Sequence, residues 1–175
     1  MKKQERPEQA GTVRKAGKRV PVTTSPGKAS VPARLRYLDR TQRHAVLATV
    51  SAAGPHTSLI AFVLTKDGKG IVFATPSGTK KHRNMMRDRK VSILIDSREN
   101  SGRDYLSAEA VTVFGHAREI NEGARWAELA TLLASKHRQL KPFLAAPTTA
   151  LMLVTISRCV HVGRFQTVTA WKPKR

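Results

Sequence analysis

The sequence predicts a mainly β fold with flanking helices: an antiparallel barrel, closed or nearly closed on itself. Three observations carry this. Six or seven short apolar runs recur along the chain, most of them separated by turns of a few residues. Connections that short join antiparallel neighbours. Helical patterns are few, and the repeated strand–helix–strand units that a parallel sheet requires are absent.

The elements follow in order. Residues 1–30 mix Lys, Arg, Pro, Gly, Thr and Ser with almost no large apolar residue, so they read as a basic, disordered arm or solubilising leader ahead of one domain over 31–175. Val31 to Thr41 is a short amphipathic helix started by Pro32, with Leu35 and Leu38 on its apolar side. Ala45 to Val50 is apolar enough for a buried strand, and Ala53-Gly54-Pro55 turns the chain. Thr57 to Leu64 is the next strand, Asp67-Gly68 turns again, and Gly70 to Thr75 is the third. A short basic helix, Lys80 to about Arg89, precedes a strand at Val91 to Ile95. Residues 97–104 (SRENSGRD) are a charged loop, read as a lid or as an ordinary turn. A long strand spans Ala108 to Arg118. Asn121 is placed to cap a helix from Glu122 to His137, whose Trp126, Ala130 and Leu133 share one stripe. Leu151 to Ile156, Cys159 to Val162 and Phe165 to Ala170 complete the sheet. Ile60, Phe62, Ile71, Phe73, Val91, Ile93, Val111, Val113 and Leu153 are the expected core.

Composition narrows function by exclusion. The formal net charge is +20. Eight Lys/Arg against Glu5 and Glu8 leave +6 on residues 1–30, so most of the excess belongs to the folded part. Such a surface attracts anions without choosing among them, and weak non-specific binding of polyanions through the arm is expected. Aromatic residues are only 5%, with no aromatic–basic stripe for single-strand stacking. The single cysteine, Cys159, rules out a disulfide framework. Neither a signal-peptide core nor a transmembrane run is visible, which points to a cytoplasmic protein. Six histidines lack zinc-protease spacing and clustered carboxylates, so no metal centre is expected. There is no nucleophile elbow and no complete phosphate-binding loop.

The most informative stretch is GIVFATPSGTKKHRNMMRDRKVSILI. Thr79 stands where a helix cap stands, Gly78 permits close approach, and Lys80 and Lys81 follow at once. Free first-turn amides, a hydroxyl and two ammonium groups describe a phosphate seat. The same residues also read as a plain cap and a solvated helix face.

Together with LATVSAAGPHTSLIAFVL and AEAVTVFGHAREI, this stretch resembles the pyridoxamine-5′-phosphate-oxidase-like, flavin mononucleotide (FMN)-binding split-barrel family, from about Arg34 to Ala170. The resemblance implies a split β-barrel of the FMN-binding type, working as a homodimer with the cofactor in the inter-subunit cleft. It implies that Lys80 and Lys81 meet the FMN phosphate with Thr79 close by. The strand residues Thr57, Ser58, Leu59, Ile60, Ala61 and Phe62 would pass the flavin ring, which Ala74 and Thr75 also approach. The implied function is an FMN-dependent oxidase or reductase acting on a small-molecule substrate. Thr57 replaces an arginine of the oxidase proper, and Ala110 replaces a glutamine, so vitamin B6 oxidation itself is not expected. The closing VHVGRFQTVTA is similar to the flavin- and haem-utilisation branches. Haem handling, with His161 or His82 as ligand, is therefore an alternative, as are a deazaflavin in the same seat and a non-catalytic flavin-binding or basic interaction protein.

Overall fold

The computed structural model of the chain describes residues 30–163 and 167–173. The basic arm up to residue 29 and the start of the last expected strand at Phe165 lie outside them. Seven strands form one antiparallel sheet: β1 (His44–Ser51), β2 (Gly54–Leu64), β3 (Gly70–Pro76), β4 (Lys90–Asp96), β5 (Ala110–Glu119), β6 (Thr149–Gly163) and β7 (Thr167–Trp171). They run in the order β3-β2-β1-β4-β5-β6-β7, and β3 also pairs β6, which closes the first six strands into a barrel. β7 adds to the outside of β6.

Alternation along the strands fills the barrel. Leu47, Phe62, Phe73, Ile93, Ile95, Val111 and Val113 point inward and are buried. Helix α1 (Val31–Thr41) plugs one end with Leu35 and Leu38. Helix α2 (Lys80–Arg87) plugs the other with Asn84 and Met85. The Asn84 amide donates to Thr49 Oγ1 at 3.0 Å, so the polar groups at this end satisfy one another. Helix α4 (Ala124–Lys136) covers the outer face of β2, β3 and β6, burying Leu129 and Leu133 against Val63, Val72, Leu151 and Leu153. Leu153 therefore belongs to this second core, whereas the other expected core residues lie inside the barrel. A 3-10 turn (Arg138–Leu140) and the one-turn α5 (Lys141–Leu144) return the chain to β6, and α3 (Asp104–Ser107) is a single turn before β5.

Two local readings change. The residue at the start of α4 is Gly123, with φ 141°, rather than Asn121: the chain needs a backbone conformation there that asparagine does not supply. The gap expected between Ile156 and Cys159 is a β-bulge within one 15-residue strand. Phe114 pairs Arg158 and Gly115 pairs Ile156, leaving Ser157 as the extra residue. Its hydroxyl donates to Phe114 O at 2.9 Å, which satisfies a carbonyl at the break.

Candidate functional site

The barrel closes unevenly, and the uneven place is where the expected site residues fall. β2 pairs β1 over its length from Gly54 to Ala61. It pairs β3 only at Phe62–Phe73, Val63–Val72 and Leu64–Ile71. In the same register Ala61 would next meet Ala74, Ile60 would meet Thr75, and Leu59 would meet Pro76. None of these pairs forms. On its other edge β3 stays paired with β6 throughout, Ala74, Thr75 and Pro76 meeting Leu151, Ala150 and Thr149. From Thr57 to Ala61 the far edge of β2 is therefore unpaired, and alternate residues turn N–H and C=O groups into a split between β2 and β3.

Side chains divide about this edge. Thr57 is exposed, Ser58 and Ala61 are half-buried, and Leu59 stands 68% exposed. Ile60 and Phe62 point into the core. The Phe62 carbonyl accepts from His137 Nε2 at 2.9 Å, and the Phe62–Phe73 pair marks where the strands rejoin. Across the split, Ala74 is half-buried and Thr75 fully buried.

The turn leaving β3 delivers the start of α2 to the mouth of the split. Gly78 adopts φ 74°. Its N–H donates to His82 Nδ1 at 3.2 Å and its C=O accepts from Arg83, so both faces of this peptide are gripped. Because Nδ1 accepts, the proton of the neutral ring sits on Nε2, which donates to Glu119 at 2.9 Å. His82 is thus committed to the turn. Thr79 holds the cap position, but its hydroxyl does not bond the first-turn amides. It donates to Pro76 O at 3.0 Å and lies 3.1 Å from Thr75 Oγ1. The first turn of α2 is left without a side-chain cap, and Lys80 (exposed) and Lys81 (half-buried) flank it with no ion-pair partner among the described residues. Uncapped amides beside two free ammonium groups can hold a dianion.

A second polar cluster lies at the opposite, α1 end of the barrel. Glu109, 8% exposed, accepts from Arg34 Nε at 2.6 Å and from His161 Nε2 at 2.8 Å. Burial, and secondarily the Arg34 charge, hold the His161 pKa below its ordinary value, so its ring is neutral near pH 7. Gly163 packs against this imidazole: a Cβ there would lie 3.1 Å from His161 Cε1. Sequence reasoning missed Glu109 and Arg34. Their only signal was a lone acidic residue opening an apolar strand. The charged 97–104 loop folds on itself, with the Asp104 carboxylate accepting from the Glu99 and Ser101 amides and Arg98 pairing Asp96. Among the described residues no three His, Cys, Asp or Glu side chains gather to hold a metal ion, and no helix is long and apolar enough to cross a membrane.

Two concavities among the described residues lie away from the split. One is bounded by Pro32, Gly68 and Trp171, the other by α4 and α5. The split itself is an open strand edge.

Comparison with known proteins agrees with this architecture. Residues 31–167 match the family model described as pyridoxamine 5'-phosphate oxidase. No curated protein matches. Among solved structures, a haem-binding protein from Mycobacterium smegmatis is similar with a TM-score of 0.73 and 20% identity over 83% of this chain. The chain spans 59% of that protein's length. HutZ, the haem storage protein from Vibrio cholerae, gives a TM-score of 0.62 and 17% identity over 71% of this chain and 88% of its own. An FAD-binding protein from Mesorhizobium loti gives 0.59 and 13% over 73% and 91%. At these identities the likeness is one of fold.

Proposed function

The chain belongs to the pyridoxamine 5'-phosphate oxidase family, and from that premise we propose that it binds a planar anionic cofactor in the split between β2 and β3. One observation carries this: an unpaired strand edge, Thr57 to Ala61, opens beside an uncapped helix start flanked by Lys80 and Lys81. A flavin fits both halves. Its ring has in-plane donors and acceptors that a strand edge can match, and its phosphate suits the lysines and amides of α2. Thr57, Ser58, Leu59, Ile60 and Ala61 would meet the ring through backbone groups, Ala74 and Thr75 would line the other side, and Lys80, Lys81 and the α2 amides would take the phosphate. Bound FMN would supply hydride transfer to and from a small-molecule substrate. The chain's own part is to bind, orient and exclude water. A deazaflavin would use the same seat.

A homodimer is part of this reading. On the outside of the sheet Leu59, Val46, Leu94, Thr112, Val160 and Ala170 form one row across six strands, linked pair by pair by the register. All six are exposed or half-buried. A second copy on this face would bury the row and cover the split at Leu59.

Haem is the second reading. Two of the three structures named above are described by haem, which weighs for it. In this chain a specific observation favours His161. Glu109 holds its Nε2 and leaves Nδ1, and a carboxylate-backed imidazole is the usual form of a metal-binding histidine. His161 and Lys80 lie at opposite ends of one barrel, so the two readings separate by mutation. The test is the visible spectrum of the purified protein and of what heat releases from it. Flavin bands that fade in the Lys80→Ala/Lys81→Ala variant, and persist in His161→Gln, support the flavin reading. A Soret band lost in His161→Gln supports haem. A colourless protein that takes up neither added cofactor overturns both, leaving a non-catalytic interaction protein on the same barrel.

A further inference from the structure

The outer side of α4 carries a groove that neither reading uses. Its floor is built from small residues of one helix face, chiefly Ala130 and Ala134, with Ala127 at its rim, and its far wall is Leu144 and Ala145 at the end of α5. Small side chains leave an open trough of about 660 Å³ along the helix. From Trp126 to Ser135 the helix rises roughly 14 Å, so the groove is long as well as roomy.

Its two ends differ chemically. Trp126 closes one end with an aromatic ring packed on the second core. Arg138 and Lys141 stand at the other. Neither makes an ion pair among the described residues, and no acidic residue lines the groove. Two cations after a helix C-terminus are by themselves ordinary partners of its dipole. Here they end a largely apolar trough, interrupted by Thr131 and Ser135, which asks for one elongated molecule with an anion at one end.

We propose that the α4–α5 groove binds a single-chain fatty carboxylate, its head between Arg138 and Lys141 and its chain along Ala134, Ala130 and Ala127 toward Trp126. This is independent of the cofactor in the split. Isothermal titration of the full chain with dodecanoate below its micelle concentration tests it, with dodecyltrimethylammonium as the cationic counterpart. One saturable site for dodecanoate is expected. It should weaken by about tenfold or more in Ala134→Leu, which fills the floor, and in Arg138→Glu/Lys141→Glu, which reverses the end. Ala127→Leu, at the exposed rim, supplies the same block if Ala134→Leu does not fold. The absence of a saturable site, unchanged affinity in the groove variants, or equal binding of the cationic amphiphile would each overturn the proposal.

Discussion

A methyl group added to Gly115 would stand 2.4 Å from the Thr155 carbonyl oxygen and 2.6 Å from Val154 Cγ1. The first neighbour is backbone in a closed sheet and cannot move aside. Gly115→Ala should therefore destabilise the fold by about 3 kcal/mol, read as a lower urea midpoint at unchanged slope. Gly54→Ala meets open space and costs only what its φ of 103° imposes. His137 makes a different kind of prediction. Burial holds its pKa below the ordinary 6.5, opposed by the bond to Phe62 O, so the folded protein keeps it neutral. The unfolded chain takes up that proton as pH falls through 6.5, while the folded chain resists until its lower pKa. The stability contributed by neutral His137 is thus complete above pH 6.5 and is lost below it. Urea midpoints at pH 7.5 and pH 5.5 should show a drop. His137→Gln keeps a donor for Phe62 O but does not titrate, and should reduce that drop.

At the scale of elements, the helices are held to the barrel by a few polar stitches as well as by apolar burial. Asp39 of α1 accepts from the Leu64 amide and from Lys136 Nζ of α4, both at 2.9 Å, and the ammonium lies 3.9 Å from the Phe62 ring centroid. Burial pulls the Lys136 pKa down while Asp39 pushes it back up. Asp39→Ala removes two partners at once and strands a largely buried cation, a loss of about 2–3 kcal/mol. Lys136→Met leaves Asp39 its Leu64 amide and an apolar side chain on Phe62, and should cost less. Chemical denaturation of both variants checks the order. This stitch was not legible in the sequence, because Asp39 and Lys136 are 97 residues apart and each looks like a solvated helix position. The elements themselves were legible, since α1 and the barrel strands announce themselves by period and by short turns. The α2 turn was half legible. Thr79 and the lysines were visible, but the hydroxyl's preference for Pro76 O and the grip of His82 and Arg83 on Gly78 depend on backbone geometry that spacing does not encode.

For the whole molecule, the prediction concerns assembly. If a second copy covers the row from Leu59 to Ala170, then Leu59→Arg should convert a dimer to a monomer in gel filtration with light scattering, and should release any cofactor held at the split. Retention of the dimer in that variant would send the interface elsewhere. Deleting residues 1–30 removes +6 of a +20 chain. Polyanion binding and its salt dependence should fall accordingly if the arm carries them. That the barrel is split rather than uniformly laddered could not be read from hydrophobic pattern. Thr57 to Ala61 look like any strand, and only the loss of register beyond Phe62 and Phe73 sets them apart.

The pairing of β3 with β6 has a consequence in time. Gly70 meets Thr155 and Pro76 meets Thr149, contacts that span about half of the domain. The N-terminal hairpins can form locally as the chain is synthesised, but β3 keeps a bare edge until β6 has been made. Closure of the cylinder is then a late, non-local step with a large loop entropy, so folding should be slow for a chain of this size. The interval before closure is when edge-to-edge association between nascent chains is most dangerous.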